Sequence, residues 1–81
     1  MKRGTFPPIQ VEQTSDGRPC RIRYRGRVWR VSVVDEWLET GRWWQGENQR
    51  VFYRLLTEHQ RVLEVSLEPA TQRWALEKWL D

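Results

Sequence analysis

A single cysteine, Cys20, excludes an intrachain disulfide, and with a single histidine, His59, it excludes an ordinary zinc site built from Cys and His. Hydrophobic residues make up 38% of the 81-residue chain and the mean hydropathy is -0.83. No apolar run approaches the ~20 residues that a membrane-spanning helix needs. Catalytic signatures are missing as well: there is no G-x-x-x-x-G-K-[ST] loop, no H-E-x-x-H, no C-x-x-C and no G-x-S-x-G. His59, beside Glu58, reads as a solvated turn residue, the pair Asp35-Glu36 as a solvated face, and Cys20 as a small buried hydrophobe. Enzymatic activity, a metal and a cofactor are therefore not expected. No stretch has the form of a signal peptide, and the expected location is the cytoplasm.

What the chain does have is tryptophan and arginine. Six tryptophans, Trp29, Trp37, Trp43, Trp44, Trp74 and Trp79, stand in a chain long enough for one small domain. At about 150–250 Å² buried per aromatic ring, a few such side chains build a core that needs no disulfide staple. Twelve of the 14 cations are arginine, and they are unevenly spread. Residues 1–30 hold eight cations and two acids, a charge of +6, whereas residues 31–81 carry -3. Such an electrically two-sided molecule attracts phosphates or an acidic partner through its positive side. Arginine is preferred where planar, bidentate contacts matter, and a GC-rich or thermophilic genome produces the same bias without any function; both explanations stay open.

The period of the pattern is that of strands. Met1 to Pro8, with Gly4 and the pair Pro7-Pro8, reads as a flexible arm, followed by one domain over residues 9–81 that opens with a short strand at Ile9 to Glu12. Gln13 to Pro19 is dense in turn formers. Cys20, Ile22 and Tyr24 then alternate with Arg21, Arg23 and Arg25, as in a strand with one buried face. A two-residue turn at Arg25-Gly26 pairs Tyr24 with Arg27, Ile22 with Trp29 and Cys20 with Val31, and places Arg21, Arg23, Arg25 and Arg30 on the opposite face. A register slipped by one residue would mix the faces.

Further along, Gly41 to Asn48 reads as a loop or bulged edge carrying Trp43 and Trp44, which cannot both enter one core because adjacent strand residues point to opposite faces. A second hairpin joins Val51–Thr57 to Val62–Leu67, and a turn centred on His59-Gln60 predicts the pairs Leu56–Leu63 and Phe52–Leu67. Pro69 to Gln72 breaks the pattern. In Arg73 to Leu80, Trp74, Leu76 and Leu80 alternate as in a strand, while Ala, Leu, Glu, Lys and Gln also suit a helix. Trp29, Trp37 and Trp74 fit buried positions, and Trp79 falls off the apolar parity of the last segment. The expected architecture is an all-β, small antiparallel barrel of five to six strands, SH3-like or OB-like, because closure covers the sheet edges.

The order Val28-Trp29-Arg30-Val31, Trp37, Gly41-Arg42-Trp43-Trp44, Phe52-Tyr53-Arg54-Leu55 and Arg73-Trp74-Ala75-Leu76, ending at Asp81, resembles a small uncharacterised bacterial domain family. It is similar in the same way to the C-terminal tail of ImuB-type proteins, the Y-family DNA-polymerase homologues of bacterial mutagenesis cassettes. The likeness covers residues 18–81 and excludes the polymerase body, so polymerase activity does not transfer. It implies an accessory module acting as an adaptor alongside translesion-synthesis or other DNA-repair machinery, and it favours a strand over residues 73–80.

The candidate contact residues are Arg21, Arg23, Arg25, Arg30 and Arg42, with Trp43 and Trp44. Arginines two apart on a strand stand about 6.6–6.8 Å from each other, a row able to track phosphates, and single-stranded nucleic-acid sites pair such a row with aromatic platforms. A solvated outer face explains alternating arginine equally simply. The expected partners are a protein and, through the arginine face, DNA, with no membrane. The alternative is a purely protein-binding or self-associating barrel without a nucleic-acid role.

Overall fold

The period-two runs and the turn formers between them resolve into six strands: β1 (Gln10–Gln13), β2 (Pro19–Tyr24), β3 (Arg27–Glu39), β4 (Arg50–Thr57), β5 (Val62–Glu68) and β6 (Arg73–Trp79). The computed structural model describes residues 9–41, 44 and 48–80; Met1 to Pro8, read above as an arm, lie outside these. Every neighbouring pair is antiparallel, and the spatial order follows the chain order from β1 to β6. The sheet curls into a half-barrel, the all-β class expected from the alternation. Residues 73–79, which suited either strand or helix, form the last strand.

The first hairpin has the register that its alternation demands: Tyr24 with Arg27, Arg23 with Val28, Ile22 with Trp29 and Arg21 with Arg30. Arg25 and Gly26 both have positive φ, 53° and 78°, as a two-residue turn matched to the strand twist requires. The expected pair Cys20–Val31 does not form. Cys20 is the extra residue of a bulge against β1, half-buried, and Val31 pairs instead with Thr57 of β4. The 13-residue β3 thus pairs with β2 over its first four residues and with β4 over the rest, which is where the sheet turns.

The second hairpin is shifted by one residue from the expected register. Leu55 faces Leu63, Leu56 faces Val62 and Phe52 faces Ser66. The cause is local: the loop has three residues, Glu58 to Gln60, closed by the Thr57 amide donating to the Arg61 carbonyl at 2.8 Å. Gln60 takes the left-handed conformation at φ 65°, where a glycine would have announced it. The Thr57 hydroxyl accepts from the amides of His59 and Arg61, both at 3.1 Å, and fixes the loop.

Two further bulges set which face each tryptophan joins. Between Val33 and Asp35 the register against β4 shifts, leaving Val34 as the extra residue, so the apolar parity of Trp29, Val31 and Val33 does not continue to Trp37. Trp37, expected in the core, stands half-buried on the opposite, convex face, stacked on Phe52 with ring centroids 5.6 Å apart and planes 7° off parallel. In β6 the extra residue is Glu77, and the same parity flip acts in the other direction. It returns Trp79, which the unbroken alternation excluded, to the concave face.

That concave face is the core. Ile22, Leu55, Leu63 and Val65 are almost wholly covered, and Ile9, Tyr24, Trp29, Val31, Tyr53 and Leu76 complete it. Truncating any of the fully covered Leu side chains to Ala costs about 2–5 kcal/mol. Trp79 spans the concavity, its ring 5.8 Å from Trp29 of β3 and 6.4 Å from Tyr24 of β2. Aromatic contacts thereby join the last strand to the second and third, while β1 and β6 stand at the two ends of the strand order.

Candidate functional site

Three arrangements of charge and aromatic rings lie on this frame. The first is the arginine row. Arg21 and Arg30 are ladder partners and Arg23 faces Val28, so all three cations project from the convex side of β2 and β3, exposed to solvent. Glu12 of β1 reaches Arg21 at 3.4 Å. Among the described residues neither Arg23 nor Arg30 has a carboxylate within ion-pair distance. Gln10, Glu12, Arg21, Arg23 and Val28 border an open depression of about 290 Å³ on this side. Arg25, expected in the row, sits at the turn and leans over the Tyr24 ring, its guanidinium carbon 5.4 Å from the centroid.

The second arrangement is a cluster at the end of the half-barrel, where the β2–β3 turn meets the β4–β5 loop. Arg27 shares the concave face with its ladder partner Tyr24, and its guanidinium lies over Trp29 at 4.8 Å. Arg61 lies over Trp79 at 4.7 Å, and His59 meets Trp29 edge-on at 5.8 Å. The loop is tied to β3 by the Glu58 amide donating to the Arg30 carbonyl at 3.1 Å and by the Arg30 amide donating to the Glu58 carboxylate at 3.0 Å. Within this cluster the indole Nε1–H of Trp29 is buried and has no hydrogen-bond partner among the described residues. Leaving such a donor unmade costs about 1–3 kcal/mol.

The third arrangement covers the convex side of β3 to β6. Arg54 donates to one Glu64 oxygen from Nε at 3.1 Å and from Nη2 at 2.9 Å, and lies over Trp37 at 5.5 Å. Arg50 lies over Phe52 at 5.0 Å, donates to Ser66 Oγ at 3.0 Å and pairs with Glu77, which also accepts from Ser66 at 2.6 Å. Glu77, next to the inward-facing Leu76, faces this network by ordinary alternation, and the bulge at Glu77 turns Trp79 inward beyond it. Here arginine and carboxylate balance one another, so the patch braces the sheet and offers no net charge to an ion.

Elsewhere the electrostatics are local. The Thr14 hydroxyl and the Arg18 amide hold the Asp16 carboxyl below its ordinary range in the β1–β2 turn. Asn48 and Thr71 do the same for Glu68. Burial, reinforced by the Glu36 carboxylate, raises the Tyr53 phenol above its ordinary value. Glu36 in turn pairs with Arg18 at 3.5 Å across the mouth of the concave face.

Of the candidate contact residues, Arg21, Arg23 and Arg30 are brought together, and Arg25 lies between the row and the barrel-end cluster. Trp44 is 66% exposed, so the surface member expected of the adjacent tryptophan pair is present. Arg42 and Trp43 lie outside the described residues. Sequence reasoning missed Arg27, His59 and Arg61 as members of a common cluster. The available signal was Arg27 itself, a cation at a position whose strand parity is that of Trp29 and Val31. No group of three or more His, Cys, Asp or Glu side chains suited to hold a metal occurs among the described residues, and none of their helices is long and apolar enough to cross a membrane.

Residues 4–81 match the family described as Domain of unknown function (DUF6504). The chain belongs to that family. The matched span takes in all six strands and the positions of the arginine row and of the barrel-end cluster. No curated protein and no solved structure matches the chain.

Proposed function

We propose that this DUF6504 domain is a non-enzymatic binding module of DNA repair or translesion synthesis. It contacts DNA through the convex row of Arg21, Arg23 and Arg30, with Arg25 at its margin, and a protein partner through the β3–β4 connection that carries Trp44. The observation that carries the DNA half is the exposed row itself: three cations on two adjacent strands, of which one has a nearby acid. The link to repair rests on the likeness of its tryptophan and arginine motifs to the tail of ImuB-type polymerase homologues.

Fluorescence anisotropy of labelled single-stranded and duplex DNA across a salt series tests the DNA half. Binding must weaken as salt rises, with a log–log slope of about -0.7 to -0.9 per phosphate contact. Changing Arg21, Arg23 and Arg30 together to Gln lowers that slope by about 2–3 while the fold persists. A flat response at low salt overturns it.

The sheet edges favour a second reading. β1 and β6 end the strand order, and an edge strand is a template for a partner strand. A purely protein-binding or self-associating domain predicts capture of a partner that is lost on Trp44→Ala or on edge-strand proline substitution, and indifference to DNA at every salt concentration.

A further inference from the structure

At 13 residues β3 is more than twice as long as β2, which has six. Its first four residues pair with β2, and from Val31 onward its ladder partners lie on β4. The β2 side of Val33 to Leu38 therefore has no strand beside it among the described residues, an open edge in addition to those of β1 and β6. An open depression of about 680 Å³ lies there, lined by the six consecutive residues Val33 to Leu38 with Arg18 and Val51. Successive strand side chains point to opposite faces, so a hollow that touches all six opens along the edge of the strand. The Glu36 amide agrees. It donates to the carboxylate of its own neighbour Asp35 at 2.8 Å, as an edge donor does when it has no strand carbonyl to meet. Six residues at about 3.3 Å each make a groove about 20 Å long, the length of an ordinary strand.

The side chains along this edge decide what it accepts. Asp35 and Glu39 share the convex side with Trp37, and Glu36 and Leu38 share the concave side. Arg18 already meets Glu36, but no cation of the described residues lies within ion-pair distance of Asp35 or Glu39. Val34, the bulge residue, and Leu38 are 53% and 56% exposed. A second copy of β3 is a poor occupant, because antiparallel pairing of two such edges sets the acids of each against those of the other, and like charges across a ladder repel. The same acids, with the bulge, guard the edge against indiscriminate pairing. A strand with a cation at every second position instead meets opposite charge on the convex side and lays its intervening apolar residues beside Leu38.

We infer that the free edge of β3, from Val33 to Leu38, is a docking site for an extended segment of a partner protein in which basic and apolar residues alternate. The segment adds to the sheet as a strand beside β3. One of its carbonyls takes the Glu36 amide from Asp35, and the carboxylate so released meets an incoming cation. The inference deepens the protein-binding half of the proposed function and rests on it for the existence of a protein partner; its geometry does not use Trp44.

The test titrates the nitrogen-15-labelled chain with the peptide acetyl-Lys-Val-Lys-Val-Lys-Val-amide and follows the backbone amides by NMR. The shifts gather on residues 33–38. The peptide with Glu in place of Lys binds about tenfold more weakly, the combined scale of two exposed ion pairs lost and two like-charge contacts made. Asp35→Asn with Glu39→Gln brings the two affinities together, and a thermal melt of this variant shows that the fold persists. Two further lysine peptides are N-methylated at alternate amides, one on the set of donors that faces β3 and one on the set that faces solvent. One of them loses binding and the other keeps it, which plain charge attraction does not produce.

Still amides at 33–38, or equal binding by both methylated peptides, overturns the inference. So does movement of the same amides with protein concentration when no peptide is present, because it assigns the edge to a second copy. The Trp44→Ala variant keeps the peptide response. Partner capture that depends on Trp44, together with no response to the peptide, removes this inference and leaves the protein-binding reading standing; the opposite pair of results does the reverse for the role of Trp44.

Discussion

Removing Arg54 should destabilise the domain more than removing Glu64, although the two are partners in one ion pair. The Glu64 side chain is 7% exposed and the Arg54 side chain 41%. Loss of the arginine leaves a covered carboxylate oxygen that formerly accepted two N–H groups at 3.1 and 2.9 Å. Loss of the glutamate leaves a guanidinium that water already reaches. Breaking a fully buried pair from one side costs about 3–5 kcal/mol, and hydrogen bonds to charged groups contribute about 1.5–3 kcal/mol. With one partner partly in water, the lower end applies, so Arg54→Met costs about 2 kcal/mol. Glu64→Leu costs about 0.5–1 kcal/mol, because its partner is resolvated. The double variant, with apolar groups in both places, returns to within about 1 kcal/mol of the parent.

Guanidinium denaturation followed by tryptophan fluorescence reads these differences directly. In a domain of this size the Arg54→Met loss lowers Tm by about 8–16 °C, at about 4–8 °C per kcal/mol. The coupling between the two sites should exceed about 1 kcal/mol, the mark of residues that act together. Methionine keeps an unbranched apolar side chain at the position while giving up both the ion pair and the guanidinium over Trp37. The reasoning fails if Arg54→Met lies within about 0.5 kcal/mol of the parent, or if the double variant is as unstable as the two single losses added.

Two other sites give simpler expectations. At Gly26, φ is +78° and a Cβ would meet nothing within 4 Å, so Gly26→Ala isolates backbone strain and costs about 1–2 kcal/mol by chemical denaturation. Its neighbour Arg25, at φ 53°, stands where Asn is preferred, and Arg25→Asn should hold or raise stability by a few tenths of a kcal/mol. The raised Tyr53 phenol means that the unfolded chain ionises first: its contribution to stability is complete below pH 10.0 and is lost as pH rises through the folded-state value. Tyr53→Phe should flatten that alkaline fall in a pH series of melts, and an unchanged slope would assign the fall to other groups.

Where local chemistry sets the chain direction, the structure was legible in the sequence; where a bulge sets it, it was not. Arg25-Gly26 names its own turn, and the alternation of Cys20 to Tyr24 against Val28 to Val31 leaves one register that separates the faces. Gln60 does the work of a glycine without being one, held by the Thr57 hydroxyl, and the β4–β5 register slips by one as a result. Val34 and Glu77 carry no mark that distinguishes a bulge residue from an ordinary strand residue. Each reverses the parity of everything beyond it, which is why Trp37 was expected inside and Trp79 outside.

The same reversals explain why the arginine row was visible and the barrel-end cluster was not. The row depends on a single unbulged hairpin, so a period of two suffices to find it. The cluster needs Trp79 on the concave face, and only the Glu77 bulge puts it there, within reach of Trp29, Tyr24 and Arg61. The extra residue in β6 thus turns the last tryptophan in to close the curl, while Glu77 itself stays on the convex face with Arg50 and Ser66. A chain with so few apolar residues gains from this economy, because each side of the bulge supplies an anchor. It also follows that charges in covered or apolar surroundings were the informative residues. Arg27 on the apolar face and Glu64 in the most covered strand each mark a place where the sheet holds a cation over a ring or a carboxylate under an arginine.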